Sequence, residues 1–186
     1  RMEVNRNAYL KHFPIDKYVD FVVNRQHSAW DWTQAEQHGK WIESAYLSAV
    51  QGDDKELLIK AESVLNRIID SQEANGYVGA TAKSFRSPER PVRGMDAYEL
   101  YFVFHAFITV YEETGDKKAL TAAEKLADYF LQYFGPGKLE FWPSDLRAPE
   151  NKQKHLDGHS DFAGHSVHYS WEGTLLCDPI TRLYEL

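Results

Sequence analysis

Apolar residues recur every three or four positions along several stretches of this chain, which is the spacing of one face of an α-helix. From Gln34 to Val50 this spacing predicts a helix that ends at Gly52. The next stretch, which ends near Ser71, has one apolar stripe with charged residues opposite it, and this predicts an amphipathic helix on the outside of the fold. That stripe comprises Leu57, Leu58, Ala61, Leu65, Ile68 and Ile69.

A second pair of helices is predicted further along the chain. Residues Met95 to Thr114 are apolar on nearly every side, as expected of a helix that is packed by several neighbours. After Gly115-Asp116, the stretch from Lys117 to Phe134 again has a single apolar stripe. The chain therefore alternates a buried inner helix with an amphipathic outer one.

The turns inside the two helix pairs resemble each other. Gly52-Asp53-Asp54-Lys55-Glu56-Leu57 and Gly115-Asp116-Lys117-Lys118-Ala119-Leu120 correspond at an offset of 63 (115 minus 52). A third copy is predicted to begin around Leu175 to Leu186. Repeated hairpins predict an all-α solenoid or a closed double ring of helices, because each hairpin buries its remaining apolar face only against its neighbours. We therefore expect the chain to be part of a longer protein.

Three stretches lack a helical period. We expect residues 1–33 to form an irregular N-terminal segment, and residues 72–94 and 138–171 to form long loops. The first of these loops contains the turn residues Asn75-Gly76 and Ser87-Pro88. Loops of this length in compact domains are usually functional or disordered, and the aromatic and arginine content of this one favours an ordered wall.

The composition is that of one ordinary globular domain, with 186 residues, 43% of them hydrophobic and 26% charged. The net charge is -7 and there is no run of Lys or Arg, which argues against a nucleic-acid or membrane-surface partner. No apolar run approaches the roughly 20 residues that span a bilayer. The compartment stays undetermined, with a periplasmic or secreted location favoured over a cytoplasmic one.

Aromatic residues make up 14% of the chain, and several lie among polar residues. Trp30-Asp31-Trp32 and Tyr169-Ser170-Trp171 are examples, and such neighbourhoods are typical of carbohydrate sites. The alternative is that each ring packs between helices and has one satisfied polar tip. The densest polar stretch is Glu36 to Ala45, in which Glu36, Lys40 and Glu43 share one helix face with Trp41 beside it.

Carboxylates near the ends and faces of the inner helices suggest acid and base chemistry. A pair of acids about 5 to 9 Å apart can hydrolyse a glycosidic bond. The eligible residues are Glu36, Glu43, Asp96, Glu99 and Glu172, of which Glu172 and Glu99 are the catalytic candidates. The alternative for each is a solvated surface carboxylate. The face shared by Glu36, Lys40 and Glu43 favours one wall of a pocket over a complete catalytic cluster.

The second loop is rich in histidine. It contains His155, His159, His165 and His168 together with Asp157 and Asp161. These side chains suit zinc or a late first-row metal, but their intervals match no established ligand pattern. Solvated histidines and contacts with sugar hydroxyls are the alternatives, and we assign no metal ligand here.

The single cysteine, Cys177, excludes a disulfide within the chain. A neighbouring cation could make it a nucleophile. Leu175-Leu176 before it, and Asp178-Pro179 after it as a helix cap and first turn, predict instead a buried structural thiol at the start of the last helix.

Several motifs, between about Trp30 and Leu186, resemble those of the beta-L-arabinofuranosidase family, glycoside hydrolase family 127, in the same order. Lys40-Trp41-Ile42-Glu43-Ser44-Ala45 resembles its K-W-[LI]-E-A-A, and Gln72 with Asn75-Gly76-Tyr77-Val78 resembles its Q-x-x-D-G-Y-L. Glu99-Leu100-Tyr101 with His105 resembles its E-L-Y-C-x-G-H. The hairpin that follows is similar at Tyr111 to Asp116, Leu126-Ala127-Asp128-Tyr129 and Phe134-Gly135-Pro136-Gly137.

This resemblance implies an (α/α)6 barrel and a retaining hydrolase that removes terminal L-arabinofuranosyl or related plant-glycan residues. The barrel needs twelve helices, so the resemblance makes this chain its N-terminal half. The zinc-binding and nucleophilic cysteines of the family, with their Glu partners, would lie beyond Leu186. A possible zinc would therefore be bound outside this chain, and no catalytic role falls on Cys177.

The chain departs from the family at several positions. The Asp-Ser-Asp before the Lys-Trp pair is replaced by Glu36, Gln37 and His38, and the His of M-H-E-L-Y is Tyr98. The G-H-P-E-I-E segment is displaced by the histidine-rich insert and Trp171-Glu172-Gly173. These departures predict altered substrate contacts.

We therefore hypothesise a sugar pocket lined by Trp30, Trp32, Trp41, Tyr98, His105, His165 and Glu172. The expected partners are a carbohydrate substrate and the remainder of the same polypeptide. A noncatalytic helical scaffold or carbohydrate-binding module is the second hypothesis. A third is another α/α-barrel sugar enzyme, such as an unsaturated glucuronyl hydrolase or a sugar epimerase.

Overall fold

The computed structural model describes residues 2–26, 35–89, 91–92, 96–139 and 175–186. Within these ranges the chain is all-α, as predicted, and has no strand apart from an isolated bridge between Phe134 and Leu139. The α-helices are α1 (Met2–Asn5), α2 (Ile15–Asn24), α3 (Glu36–Gly52), α4 (Lys55–Asp70), α5 (Asp96–Thr114), α6 (Lys117–Tyr133) and α7 (Cys177–Tyr184). A π-helix, Arg6–Leu10, follows α1, and a 3-10 turn spans Lys83–Phe85.

The prediction of an irregular N-terminal segment over residues 1–33 is wrong for residues 2–24, which are mostly helical. In α2, Ile15, Val19 and Val22 are buried and lie at intervals of four and three, so they form one face. This face packs against α3 and α4. Three apolar residues are a weak periodic signal in the sequence. They are buried only because α3 and α4 cover them in the fold.

The two predicted hairpins are α3 with α4 and α5 with α6, and their turns are closed in similar ways. Asp53 has left-handed backbone (φ 48°) after α3, and the Asp54 carboxylate caps α4 by accepting a hydrogen bond from the Leu57 amide at 3.1 Å. After α5 the left-handed residue is Gly115 (φ 73°), and Asp116 caps α6 by accepting from the Lys118 amide at 2.8 Å. The structural repeat therefore extends to the caps.

The inner helices α3 and α5 run parallel and almost touch. A Cβ atom built on Gly39 would lie 2.4 Å from the carbonyl carbon of Phe102 and 2.5 Å from the amide nitrogen of Val103. Gly39 and Phe102 are also 63 residues apart (102 minus 39), which is the offset of the sequence repeat. The two inner helices are therefore equivalent elements packed side by side in register.

The loop between α4 and α5 is held to the helices by buried groups. The Gln72 side-chain amide donates to the carbonyl oxygens of Gly76 at 2.9 Å and of Ala122, in α6, at 3.0 Å. Gly76 has left-handed backbone (φ 97°), and a Cβ there would lie 1.9 Å from the Lys125 carbonyl oxygen. Tyr77 and Val78 follow it into the core. The loop is thus anchored on α6 at its start.

None of the helices in the described ranges has the length and apolar character needed to cross a lipid bilayer.

We predict that Gly39→Ala destabilises the fold, because the new methyl group would collide with the backbone of α5. Overpacking of this kind typically costs about 1–3 kcal/mol, and here a helix backbone, not a side chain, would have to move. We expect the free energy of unfolding, measured by urea denaturation, to fall by at least about 2 kcal/mol.

Gly52→Ala is the matched control, since it adds the same methyl group to the same helix. The three atoms nearest to its Cβ would all belong to the flexible guanidinium of Arg6, the first at 2.0 Å, and this group can turn aside. Ala also favours a helix by up to about 1 kcal/mol over Gly, so we expect a change of less than about 1 kcal/mol here. Equal losses in the two variants would contradict the proposed backbone contact.

Candidate functional site

Polar and aromatic side chains form a partly exposed surface along the inner helices, which we call the inner-helix strip. It runs from the N-terminal ends of α3 and α5 down to the contact with α7. Its members are Glu36, Lys40 and Glu43 of α3, Tyr98, Tyr101, Phe102, His105, Thr109 and Glu112 of α5, and Asp178 and Arg182 of α7.

Lys40 organises the upper part of the strip. Its ammonium lies 3.7 Å from a carboxylate oxygen of Glu36, one turn earlier, and donates to the Tyr98 hydroxyl at 3.3 Å. It also lies 4.3 Å from the centroid of the Phe102 ring and 5.0 Å from that of Tyr98. At this distance the ring faces attract the cation. Lys40, Tyr98 and Phe102 are only partly buried, so a ligand can reach these three side chains.

The lower part of the strip is a chain of hydrogen bonds that joins three helices. The Thr109 hydroxyl donates to a Glu43 carboxylate oxygen at 2.8 Å and accepts from the Arg182 guanidinium at 3.0 Å. Arg182 also pairs with the Glu112 carboxylate through two nitrogens, one of them Nε at 3.2 Å. Lys40 and Glu43 both contact α5, and Glu36 pairs with Lys40 one turn away, so the predicted shared face of α3 is confirmed.

His105 lies between two residues of α7. Its Nδ1 is 3.0 Å from an Arg182 guanidinium nitrogen, and its Nε2 is 2.9 Å from Oδ2 of Asp178. The same oxygen accepts a hydrogen bond from the Tyr101 hydroxyl at 3.2 Å. Partial burial, followed by this bond to Asp178, raises the pKa of Tyr101, so the phenol stays protonated and donates.

Three of the eligible carboxylates are buried, and two of them, Asp96 and Glu99, accept hydrogen bonds from outside their own helix. Asp96 accepts from the Tyr77 hydroxyl at 2.9 Å and from the Thr81 hydroxyl at 3.0 Å, which ties the loop to the start of α5. Glu99, a catalytic candidate from sequence, accepts from the Ala35 amide at 3.3 Å and is 4% exposed. Both therefore help to fix the ends of the inner helices.

The Tyr77 phenol is the centre of the loop anchor. Burial, and then the charge of Asp96, raise its pKa well above the usual range, so it remains a hydrogen-bond donor. Its oxygen also accepts from the Thr81 amide at 3.1 Å, and the Arg86 guanidinium lies 3.6 Å from the ring centroid. Arg86 pairs in turn with Glu73. This anchor holds the loop beside the N-terminal end of α5.

Trp41 is not part of the inner-helix strip. The residue is 3% exposed, its indole N–H donates to the Leu10 carbonyl at 3.0 Å, and Lys60 lies over its ring at 5.4 Å. It packs α3 against Leu10, the last residue of the π-helix, and against Lys60 of α4. The structure therefore does not bring Trp41 together with His105, and its predicted place in the sugar pocket is not supported.

Four predicted pocket residues, Trp30, Trp32, His165 and Glu172, lie outside the described residues, as does the whole histidine-rich segment. Their roles stay predictions. Among the residues that the structure describes, no group of three His, Cys, Asp or Glu side chains is arranged to hold a metal ion.

The prediction of a buried Cys177 is wrong, because the thiol is exposed. The helix begins two residues earlier than expected, with Leu176 in place of Asp178 at the N-cap, and Leu176 is 4% exposed. Leu176 therefore occupies the buried position, and Asp178 contacts α5 from within the first turn instead of capping the helix.

Sequence reasoning also missed Asp178 and Arg182 as members of the strip. They lie four residues apart on α7 and so share a face. The spacing of four is visible in the sequence, but the partner of both residues on α5, His105, lies 73 residues from Asp178 and 77 residues from Arg182 along the chain.

His38 lies in the core next to the strip and is 1% exposed. Neither ring nitrogen makes a hydrogen bond of normal geometry in the described part of the chain. Burial lowers its pKa to about 4, and the nearby Ala35 carbonyl opposes this effect only weakly. The imidazole is therefore neutral at physiological pH.

Comparison with known proteins identifies a related family. The sequence model described as the catalytic domain of glycoside hydrolase family 127, beta-L-arabinofuranosidase, matches residues 3–142. A curated relative, the non-reducing end beta-L-arabinofuranosidase of Bifidobacterium longum subsp. longum, is 29% identical over 104 residues. That alignment covers 52% of this chain and 16% of the relative, so the chain spans a small part of the relative's length.

We predict that His38→Leu makes the fold less sensitive to acid. The pKa of His38 is lowered from 6.5 to about 4 in the folded state, so as the pH falls below 6.5 the unfolded chain gains a proton that the folded chain cannot accept. The contribution of the neutral His38 to the free energy of unfolding is fully present above pH 6.5, and it is lost as the pH falls from 6.5 to about 4. At 1.36 kcal/mol per pKa unit, the wild type should lose about 2–3 kcal/mol between about pH 7.5 and about pH 4.5 from this source.

The measurement is the free energy of unfolding by urea at both pH values. His38→Leu should lack this part of the acid sensitivity, whereas His12→Leu, which alters an exposed histidine, should retain it. An unchanged pH dependence in His38→Leu would contradict the neutral buried imidazole.

Proposed function

The chain belongs to the beta-L-arabinofuranosidase family, glycoside hydrolase family 127, and on that premise we propose that it forms part of a glycosidase acting on terminal L-arabinofuranosyl or related plant-glycan residues. The observation that carries this proposal is the match of the family's catalytic domain over residues 3–142. That range contains both inner helices, α3 and α5, with their outer partners.

The chemistry of the inner-helix strip supports a carbohydrate ligand. Sugar rings present apolar C–H faces and hydroxyl edges, which suit aromatic rings beside donors and acceptors. Tyr98, Tyr101 and Phe102 provide the rings, Lys40 a donor and Asp178 an acceptor. In an (α/α)6 barrel the inner helices surround the central cavity, so we propose that the strip is one wall of the sugar pocket.

We propose that the bond-breaking groups are not among the described carboxylates. Asp96 and Glu99 are buried acceptors, and Glu43 accepts from Thr109, so none of them is an unengaged acid or nucleophile. Glu172 stays a proposed contributor from the undescribed segment. A nucleophile and a possible zinc would come from residues beyond this chain, and the strip would bind and orient the sugar.

The test is the release of L-arabinose from a β-L-arabinofuranoside by the whole protein that contains this chain. We expect hydrolysis by the wild type, and an increase in KM of about tenfold for Tyr98→Ala, which corresponds to about 1.4 kcal/mol of lost binding. The reason is that this variant removes an aromatic ring and a hydroxyl from the strip.

Tyr9→Ala is the matched control, because Tyr9 is 51% exposed and lies in the N-terminal π-helix. Its KM should equal that of the wild type. No arabinose release by the wild type would overturn the proposed activity. Equal effects of the two variants would overturn the assignment of the strip to the sugar pocket.

A further inference from the structure

The hydrogen bonds around His105 fix the position of its proton. An arginine guanidinium can only donate hydrogen bonds and stays protonated in proteins, so Nδ1 of His105, 3.0 Å from Arg182, must be the acceptor. A proton on Nδ1 would set two N–H donors against each other. The ring proton therefore lies on Nε2, from which it donates to Oδ2 of Asp178 at 2.9 Å.

Arg182 is itself held firmly enough to impose this arrangement. Its guanidinium pairs with the Glu112 carboxylate through two nitrogens and donates to the Thr109 hydroxyl at 3.0 Å. His105, Thr109 and Glu112 lie at intervals of four and three on α5, so they form a single face. Three points of attachment on one rigid helix leave the guanidinium little freedom to turn away from Nδ1.

The hydrogen bond from His105 helps to orient the carboxylate of Asp178. Its Oδ2 accepts from both His105 and the Tyr101 hydroxyl, at 2.9 and 3.2 Å. Its Oδ1 makes no hydrogen bond with any described residue, and the side chain is 63% exposed. Two donors on the same oxygen orient the carboxylate, so that the other oxygen is presented to solvent beside the aromatic rings of α5.

We propose that Arg182 is a positioning residue that holds His105 as the neutral Nε2-protonated tautomer, and that the Asp178 carboxylate oriented by this imidazole accepts a hydrogen bond from a hydroxyl of the bound sugar. The second half of this inference rests on the proposed function. The first half concerns the protein alone. His105 thus acts through Asp178, because both of its ring nitrogens are already bonded.

The tautomer can be read by NMR in 15N-histidine-labelled protein, where a protonated and an unprotonated ring nitrogen have well separated chemical shifts. Loss of one signal set in His105→Gln identifies the residue. In the wild type we expect only the Nε2-protonated form. In Asp178→Ala that single tautomer should persist, because Arg182 still occupies Nδ1.

The decisive variant is the double substitution Asp178→Ala with Arg182→Met, in which both tautomers of His105 should appear. Asp178→Ala with Arg67→Met is its control, since Arg67 pairs with exposed acids, Asp16 and Asp20, far from His105. The control should keep the single tautomer. A mixture already in Asp178→Ala, or an Nδ1-protonated wild type, would overturn the positioning role of Arg182.

The acceptor role of Asp178 is tested with the same arabinofuranoside in the whole protein. Asp178→Ala should raise KM about tenfold, the effect of losing one ligand hydrogen bond, with a smaller change in kcat. Glu185→Ala, which removes an exposed carboxylate just after α7, should leave both constants unchanged. An unaltered KM in Asp178→Ala would overturn the acceptor role. If the wild type releases no arabinose, the acceptor role falls together with the proposed function, whereas the NMR result decides the role of Arg182 independently.

Discussion

The close approach of α3 and α5 at Gly39 determines how the α3 and α5 side chains of the inner-helix strip lie relative to each other. Because no side chain separates the two backbones there, the helices pack in register, with Gly39 against Phe102. The next residue of α3, Lys40, then falls on the Phe102 ring, and Glu43, one turn later, reaches Thr109. The contacts between the two inner helices therefore depend on backbone packing, and a bulkier residue at position 39 would separate the pairs of Lys40 with Tyr98 and of Glu43 with Thr109 together.

Helix chemistry explains why acids gather at the starts of the inner helices as hydrogen-bond acceptors. The first turn of a helix has unsatisfied N–H groups and a positive dipole end, both of which favour carboxylates. Here the carboxylates also receive bonds from neighbouring segments: Asp96 from the loop hydroxyls, and Glu99 from the amide of Ala35. Buried acids in these positions thus stabilise the junctions between elements.

Sequence periodicity was sufficient to predict α3 to α6 to within about two residues, because each helix has many apolar positions and a capping aspartate or glycine at its turn. It could not separate Trp41 from Tyr98, although both lie in polar neighbourhoods. Trp41 is buried against Leu10, 31 residues earlier, whose carbonyl accepts a hydrogen bond from the indole N–H. Tyr98 lies partly exposed beside Lys40. Burial of a single aromatic residue depends on contacts distant in sequence, which no local pattern contains.

The attachment of α7 follows a different principle from that of the other helices. Pro179 is the one buried residue between Cys177 and Tyr184, and only Ile180 and Leu183 add partly buried apolar contacts with the core, so the apolar packing of this helix is limited. The helix is attached to α5 mainly by hydrogen bonds, in which Asp178 and Arg182 bind the two ring nitrogens of His105. Such bonds require defined angles as well as distances, whereas apolar contacts tolerate sliding and rotation. The helix is therefore docked in one orientation, and the hydrogen bonds that dock it also orient the second carboxylate oxygen of Asp178. Stability of this contact and the chemistry of the strip cannot be changed separately, because they depend on the same hydrogen bonds.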